Sequence, residues 1–323
     1  MRAVFCSAFN EADPVAGLTM GSRPEPVARE GWTLVRVRAA ALNGHDVWSL
    51  RGVGLTQRDL PRVLGSDGAG IDEDGREVII YPVIPALGAD RSRAIDPFGE
   101  PLLSERHDGT FAELVAVPRV NLVPMPAGWS FAQAACLPTA WLTAYRMLFV
   151  QSGVEPGGTV LVQGATGGVS TALIALGAAT GYRMWVTGRT EAKRRTALRI
   201  GADAVFEPGA RLPERVDAVM ETVGTATWEH STKSLKIGGT LVVAGATSGH
   251  LPPMDLRRLF FRQLRVVGSR MGTVEELTAL VNLCRQRSIE PLIDSVRPLG
   301  EANTAVARLV AGEVVGKAVL EIG

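Results

Sequence analysis

The chain has 323 residues, 46% of them hydrophobic, with 34 Lys plus Arg against 33 Asp plus Glu and a formal net charge of +1. That length carries two domains and a dense core, and the balanced charge, without a block of one sign, argues against a nucleic-acid surface or a polybasic membrane patch. Three scattered cysteines, Cys6, Cys136 and Cys284, make neither a disulfide framework nor a Cys-x-x-Cys metal site. The opening MRAVFCSAFN lacks the apolar core of a signal peptide. The uncharged stretch from Pro156 to Tyr182 is too glycine-rich and turn-broken for a membrane span. A cytoplasmic protein with no membrane partner is the expectation.

In chain order, Ala3 to Phe5 opens a β-rich region, and Trp32 to Ala39 alternates apolar residues with Arg36 and Arg38, the pattern of a half-solvated antiparallel strand. Turns at 42–46 and 64–70 lead to a strand at Glu77 to Tyr81. Pro82 to Asp108 reads as a long irregular loop, and Leu114 to Val117 as a strand. Pro118, Pro124 and Pro126 mark a domain boundary. Helical spacing runs from Phe131 to Cys136 and from Ala140 to Val150, with a break at Pro138. Beyond it, short apolar strands (Ala204–Phe206, Val216–Met220, Thr240–Ala244, Leu264–Gly268) alternate with helices over Glu191–Ile200, Thr227–Lys236 and Leu256–Gln263. Such alternation predicts an α/β fold, a doubly wound parallel sheet covered on both faces. The tail carries one clear helix, Glu275 to Cys284, and a last strand, Ala318 to Ile322. Leu264–Gly268 would be an edge strand, which suggests a homodimer made by extending the sheet.

The most informative stretch is Thr159 to Lys193. The strand Val160–Val162 enters the turn Gly164-Ala165-Thr166-Gly167-Gly168-Val169 and then a helix, with a second strand at Met184–Thr187. Gly164 suits a sharp exit from the strand, Gly167 a close backbone approach to phosphate, and the new helix end supplies N–H groups for an anion. The fingerprint's third glycine is replaced by Ser170. Where an NAD site usually has Asp or Glu, the second strand ends Thr187-Gly188-Arg189. Gly188 leaves room for a 2′-phosphate, Arg189 can clamp it, and Lys193 lies one helical turn on; NADPH is therefore the expected cofactor.

Six segments together resemble the medium-chain dehydrogenase/reductase superfamily: LNGHD (42–46), LGSDGAG (64–70), GTFAE (109–113), LPTAWLTAY (137–145), QGATGGVS (163–170) and VGSRMGT (267–273). The resemblance covers the whole chain and implies a GroES-like β domain over residues 1–124, a Rossmann domain over 125–270, and a tail, 271–323, that returns to the first domain. The superfamily's zinc enzymes carry Cys, His and Cys at positions that match Asn43, Ser66 and Thr139 here, and the Cys-rich structural zinc loop would fall within 82–108, which has no cysteine. Amide and hydroxyls are poor zinc ligands, so no metal is expected, although His45, Asp46 and Asp67 could form a makeshift site. What remains resembles the zinc-free, quinone-oxidoreductase-like branch, which reduces quinones, enals, enones or enoyl thioesters with NADPH. The resemblance also brings Thr143, Ala246, Thr247, Ser269, Arg270 and Met271 to the nicotinamide. A Tyr donor found in some enoyl-reducing relatives is replaced here by Gly54.

Hydride addition to a small conjugated substrate builds charge on a carbonyl oxygen, which fixed donors must meet. Asn43 and Thr139, with Ser66 beside them, are the candidate donors, and His45 the candidate acid. Asn43 could equally be a helix N-cap with Asp46 at N3. Trp48, Tyr81, Trp141 and Phe260 are either a substrate wall or core. The rival readings are an alcohol dehydrogenase with a non-standard metal site and a non-catalytic NADPH-binding accessory protein.

Overall fold

A computed structural model describes residues 1–84 and 102–323. In chain order the strands are β1 (Arg2–Cys6), β2 (Leu18–Ser22), β3 (Trp32–Ala41), β4 (Arg62–Val63), β5 (Asp67–Asp72), β6 (Glu77–Ile80), β7 (Leu114–Pro118), β8 (Leu122–Pro124), β9 (Thr159–Val162), β10 (Arg183–Thr187), β11 (Ala204–Phe206), β12 (Val216–Glu221), β13 (Leu235–Val243), β14 (Arg265–Gly268), β15 (Ile293–Pro298) and β16 (Lys317–Glu321). The helices are α1 (Gly44–Leu50), α2 (Phe131–Ala135), α3 (Leu142–Tyr145), α4 (Gly168–Ala179), α5 (Glu191–Ile200), α6 (Thr225–Ser234), α7 (Leu256–Phe261), α8 (Val274–Arg287) and α9 (Ala302–Val310). Among the described residues no helix is long and apolar enough to cross a membrane.

The chain divides into two compact units, Met1–Ala140 with Thr273–Arg285 and Glu290–Gly323, and Trp141–Gly272 with Gln286–Ile289. In the first unit, β3 pairs antiparallel with β5, β7 and β16, and a seven-stranded sheet runs β15-β16-β3-β5-β6-β8 with β7 on β3. The alternation read along Trp32–Ala39 is real: Val35 and Val37 are buried while Arg36 and Arg38 are exposed. The apolar face, with Val4, Leu50, Leu64, Phe111, Val306 and Leu320, is the core of this unit. In the second unit six parallel strands lie in the order β11-β10-β9-β12-β13-β14. The order reverses between β9 and β12, the switch point at which doubly wound sheets bind ligands. Both faces of this sheet are covered, which is why β9 and most of β12 are buried without alternation. β14 is the edge strand that the pattern predicts.

Several elements differ from the sequence reading. The unit boundary falls after Ala140, not at 124. The reason is α2, which packs on β3 and β5 of the first unit and buries Ala134 and Ala135. Pro138 does not break the helical run; the chain continues as a π-helical turn over Leu137–Trp141, whose wider spacing accommodates a residue that lacks an N–H. α6 ends at Ser234 and Lys236 belongs to β13, which bends at Gly238 (φ +77°). α7 stops at Phe261, before Gln263 enters the left-handed region (φ +51°). β15 and α9 have no counterpart in the sequence reading: β15 mixes Asp294, Ser295 and Arg297 among its apolar residues, whereas α9 has an ordinary amphipathic spacing, with Ala302, Ala305 and Val306 buried and Asn303 and Thr304 exposed, that the reading passed over.

Candidate functional site

The second unit builds a glycine-lined turn at the carboxyl end of β9. Gly164 lies at φ +91°, in the region that favours glycine, and a Cβ there would sit in ordinary contact with Ser170 Oγ at 3.5 Å. Gly167 is the N-cap of α4, exposed, with nothing closer than 4.0 Å to a Cβ added there. Gly168 and Val169 open the helix, Thr166 is buried at the turn, and no acidic residue stands in the first turn of α4. This cradle fits a phosphate: exposed glycine backbone, helical N–H groups without partners of their own, and no carboxylate to repel the anion.

The turn rests on a buried hydrogen-bond chain that the sequence reading missed. The Gly164 N–H donates to Thr187 Oγ1 (3.2 Å), and Thr187 to Gln163 Oε1 (2.7 Å). Gln163 Nε2 donates to Ser231 Oγ (2.9 Å), and Ser231 to Glu221 Oε2 (2.6 Å). Glu221, fully buried at the end of β12, also accepts from the N–H groups of Val223 (2.8 Å) and Gly224 (3.0 Å) and from Thr227 Oγ1 (2.9 Å). A lone Glu ending an apolar strand was the signal available for it.

After β10, Gly188 is buried and Arg189 exposed, and the Lys193 N–H donates to the α5 N-cap hydroxyl of Thr190. A Cβ on Gly188 would meet Arg194 Cγ at 2.9 Å and Ala165 Cβ at 3.1 Å, and Arg194 donates to the Gly188 carbonyl (2.8 Å). Glycine is thus required here by the packing of Arg194, a residue the sequence reading passed over. Ala246 and Thr247 follow β13, with Thr247 donating to the Thr222 carbonyl (3.4 Å). Ser269, Arg270 and Met271 follow β14; the Ser269 N–H donates to Val243 O (2.8 Å), Met271 has φ +41°, and Ser269 Oγ is buried without a partner among the described residues. Thr143 is buried in α3, which packs on α4 rather than lying at a strand end. The parallel sheet therefore collects the 164–169, 188–193, 246–247 and 269–271 groups at the carboxyl ends of β9, β10, β13 and β14.

The first unit collects the other candidates. Asn43 is the N-cap of α1, and its N–H donates to Asp46 Oδ2 (2.8 Å), as the capping pattern requires. Its side-chain Nδ2 donates to Ser66 Oγ (3.3 Å) and to Ala41 O (3.4 Å). Ser66 Oγ lies 3.2 Å from Thr139 Oγ1. The three positions that match zinc ligands in the resemblance are thus linked directly. Asn43 and Ser66 are buried, and only Thr139 is partly exposed. From β16 comes Lys317, 2% exposed, whose Nζ donates to Asn43 Oδ1 (2.6 Å), Leu42 O (2.7 Å) and Asp67 Oδ2 (3.0 Å). The other Asp67 oxygen is buried without a partner among the described residues.

Among the described residues, no group of three His, Cys, Asp or Glu side chains could hold a metal ion. The donors present do not fit zinc: an amide oxygen already taken by an ammonium group, two hydroxyls, and a positive charge 2.6 Å from the first of them. The makeshift set is divided likewise. Asp46 is spent on the N–H groups of Asn43 and Gly65 (3.1 Å), and Asp67 on Lys317. Burial pushes the Asp46 carboxyl up to about 6.

His45 sits on α1, its Nε2 2.9 Å from Glu105 Oε1 and its Nδ1 3.3 Å from Ser49 Oγ. Glu105 Oε1 is also 3.2 Å from where a Gly54 side chain would begin, so the place assigned to a Tyr donor adjoins this His–Glu pair. Of the aromatics, Trp141 is fully buried core, Tyr81 is 6% exposed, and Trp48 and Phe260 are exposed at 40% and 63%. The structural zinc loop assigned to 82–108 falls largely outside the described residues.

Residues 29–127 match the alcohol dehydrogenase GroES-like domain and residues 168–286 the zinc-binding dehydrogenase family. The chain is 27% identical to the crotonyl-CoA carboxylase/reductase of Cereibacter sphaeroides, over 85% of this chain and 76% of that one. Among solved structures, the 2-octenoyl-CoA carboxylase reductase CinF, in complex with NADP and 2-octenoyl-CoA, superposes with a TM-score of 0.91 at 25% identity, over 99% of this chain and 87% of that one. An NAD-dependent alcohol dehydrogenase superposes with a TM-score of 0.92 at 32% identity, and the match covers 100% of both chains. Likeness of that degree from end to end, on the sheet order and glycine turn described above, makes this protein a member of the medium-chain dehydrogenase/reductase superfamily, a nicotinamide-dependent oxidoreductase.

Proposed function

We propose that the protein is an NADPH-dependent reductase of a conjugated carbonyl compound, an enoyl thioester in the first instance and an enal, enone or quinone in the second, working without zinc. The observation that carries this reading is the direct link between Asn43, Ser66 and Thr139, which puts neutral hydrogen-bond donors where a metal enzyme needs thiolate and imidazole. Such donors suit an oxygen on which charge develops. The crotonyl-CoA and 2-octenoyl-CoA reductases among its relatives support the enoyl thioester.

The turn at 164–169 would hold the pyrophosphate, and Arg189, with Lys193 a turn later, the 2′-phosphate. The exposed guanidinium and the lack of an acid at the end of β10 support NADPH over NADH. Residues 246–247 and 269–271 would hold the nicotinamide end, with the buried, unpartnered Ser269 hydroxyl as one contact. When bound, the nicotinamide supplies the hydride. The chain's own part is to orient it, to meet the carbonyl oxygen from Thr139, with Ser66 and the buried Asn43 aligned behind it, and to admit a proton through His45 or water. The edge strand β14, with Val266, Phe260, Phe261 and Leu256 exposed nearby in chain order, supports a homodimer.

The test follows NADPH absorbance against enoyl thioesters, enals, enones and quinones, with and without chelator. Oxidation of NADPH that chelation leaves unchanged is the expected result. Activity lost on chelation and restored by zinc would replace this reading with an alcohol dehydrogenase, and tight NADPH binding without oxidation of any acceptor with an accessory protein.

A further inference from the structure

Lys317 is a buried cation of the first unit, and its surroundings leave it a single arrangement. An ammonium group has three donors and no acceptor. At 2% exposure all three protons meet oxygens, those of Leu42, Asn43 and Asp67. The Asn43 carboxamide must therefore turn its oxygen to Lys317, because the opposite orientation would set N–H against N–H. Its Nδ2 then faces Ser66 Oγ at 3.3 Å and Ala41 O at 3.4 Å. Ser66 is fully buried, and with Asn43 donating to it, its own proton has one acceptor in reach among the described residues, Thr139 Oγ1 at 3.2 Å. A buried hydroxyl proton left without an acceptor is costly, so Ser66 donates. Thr139, having accepted, keeps its own O–H, which has no acceptor among the described residues, for a substrate, and it is the partly exposed member of the series.

We propose that Lys317 is a positioning residue: its buried ammonium fixes the direction of the chain Lys317–Asn43–Ser66–Thr139, so that the Thr139 hydroxyl is presented as a donor to a substrate oxygen. Each link runs the same way, donor to acceptor, outward from the charge, and bonds aligned in this manner polarise one another in a low-dielectric interior. No proton leaves the chain; the hydroxyl offers a hydrogen bond to the oxygen that gains charge. The substrate part of this inference rests on the carbonyl-reductase reading above; the orientation of the Asn43 amide does not.

Two measurements separate these parts. The first is turnover of the acceptor that NADPH reduces. Thr139→Val, which keeps the shape and removes the hydroxyl, is expected to lower kcat about 100-fold. Lys317→Met is expected to lower it about tenfold, with the KM for NADPH unchanged. Because Lys317 acts through Thr139, the double variant should be no slower than Thr139→Val alone. Should Lys317→Met fold poorly with Asp67 left buried and unpaired, Lys317→Met with Asp67→Asn removes both charges and serves in its place.

The second is the side-chain amide resonance of Asn43 in protein labelled with 15N-asparagine. The chain has five asparagines, and Asn43→Ser identifies the signal. A single protected amide pair in the parent, split or exchanging in the Lys317→Met protein, supports the lock. Losses that multiply in the double variant, or an Asn43 amide indifferent to the loss of Lys317, would overturn it. If no acceptor is reduced, the reductase reading fails and the amide signal alone decides whether Lys317 sets the chain.

Discussion

Replacing Glu221 with Ala tests how the nucleotide turn is held. The carboxylate accepts from two backbone N–H groups, those of Val223 and Gly224, and from the hydroxyls of Thr227 and Ser231, all within 3.0 Å. The hydroxyls have recourse: Thr227 already lies 3.3 Å from the Gly224 carbonyl. The two amides are fixed by the backbone and have none. A buried donor left unpaired costs about 1–3 kcal/mol, so Glu221→Ala should lose about 2–6 kcal/mol before any cavity term. In thermal unfolding followed by circular dichroism, that is a fall in the midpoint on the order of 10 °C. Ser231 would also lose its acceptor, and with it the order of the chain through Gln163 and Thr187 to the Gly164 N–H. NADPH affinity, measured by calorimetry below the new midpoint, should weaken as well. A variant that melts within about 2 °C of the parent would refute the reasoning, because it would mean that water or a shifted backbone satisfies these donors at no cost.

Two further outcomes follow from the same geometry. Arg189→Ala should raise the KM for NADPH by about 10–100-fold, the worth of a hydrogen bond to a charged group, and leave that for NADH nearly unchanged; equal effects on both would remove Arg189 from the 2′-phosphate. Asp46, held at about 6 by burial against an ordinary 3.8, keeps its proton in the folded chain at pH values where the unfolded chain has released it. Its contribution is therefore fully present below pH ~4 and is lost as pH rises through about 6, by about 3 kcal/mol. Denaturant titrations of the parent and Asp46→Asn from pH 4 to 7 should show the parent's relative stability falling across that window, and a pH-independent difference would contradict it.

How far the sequence carries can be seen residue by residue. Strands β9 and β10, the turn between Gly164 and Val169, and the basic end of β10 are local features. A run of apolar β-branched residues, a glycine where φ must be positive, and a helix start all act within a few positions, so their pattern is written in neighbouring letters. The alternation of strands and helices likewise determined the parallel sheet, since no other arrangement buries both faces of such strands. The likeness of six short motifs to a known superfamily supplied the Asn43, Ser66 and Thr139 correspondence, which the backbone then brought within hydrogen-bond distance.

What the sequence did not disclose lies at long separation. Lys317 and Asn43 are 274 positions apart, and nothing near either predicts that β16 lies antiparallel beside β3 and delivers the ammonium to the amide. Gln163 and Ser231 stand 68 positions apart, and Glu221 becomes the end of their chain only once β9 and β12 are neighbours. The register of the sheets decides which polar groups meet when water is withdrawn from them. Burial then turns a lysine, an acid and a few hydroxyls, unremarked in the linear chain, into groups whose orientation is forced by the need of each donor for an acceptor.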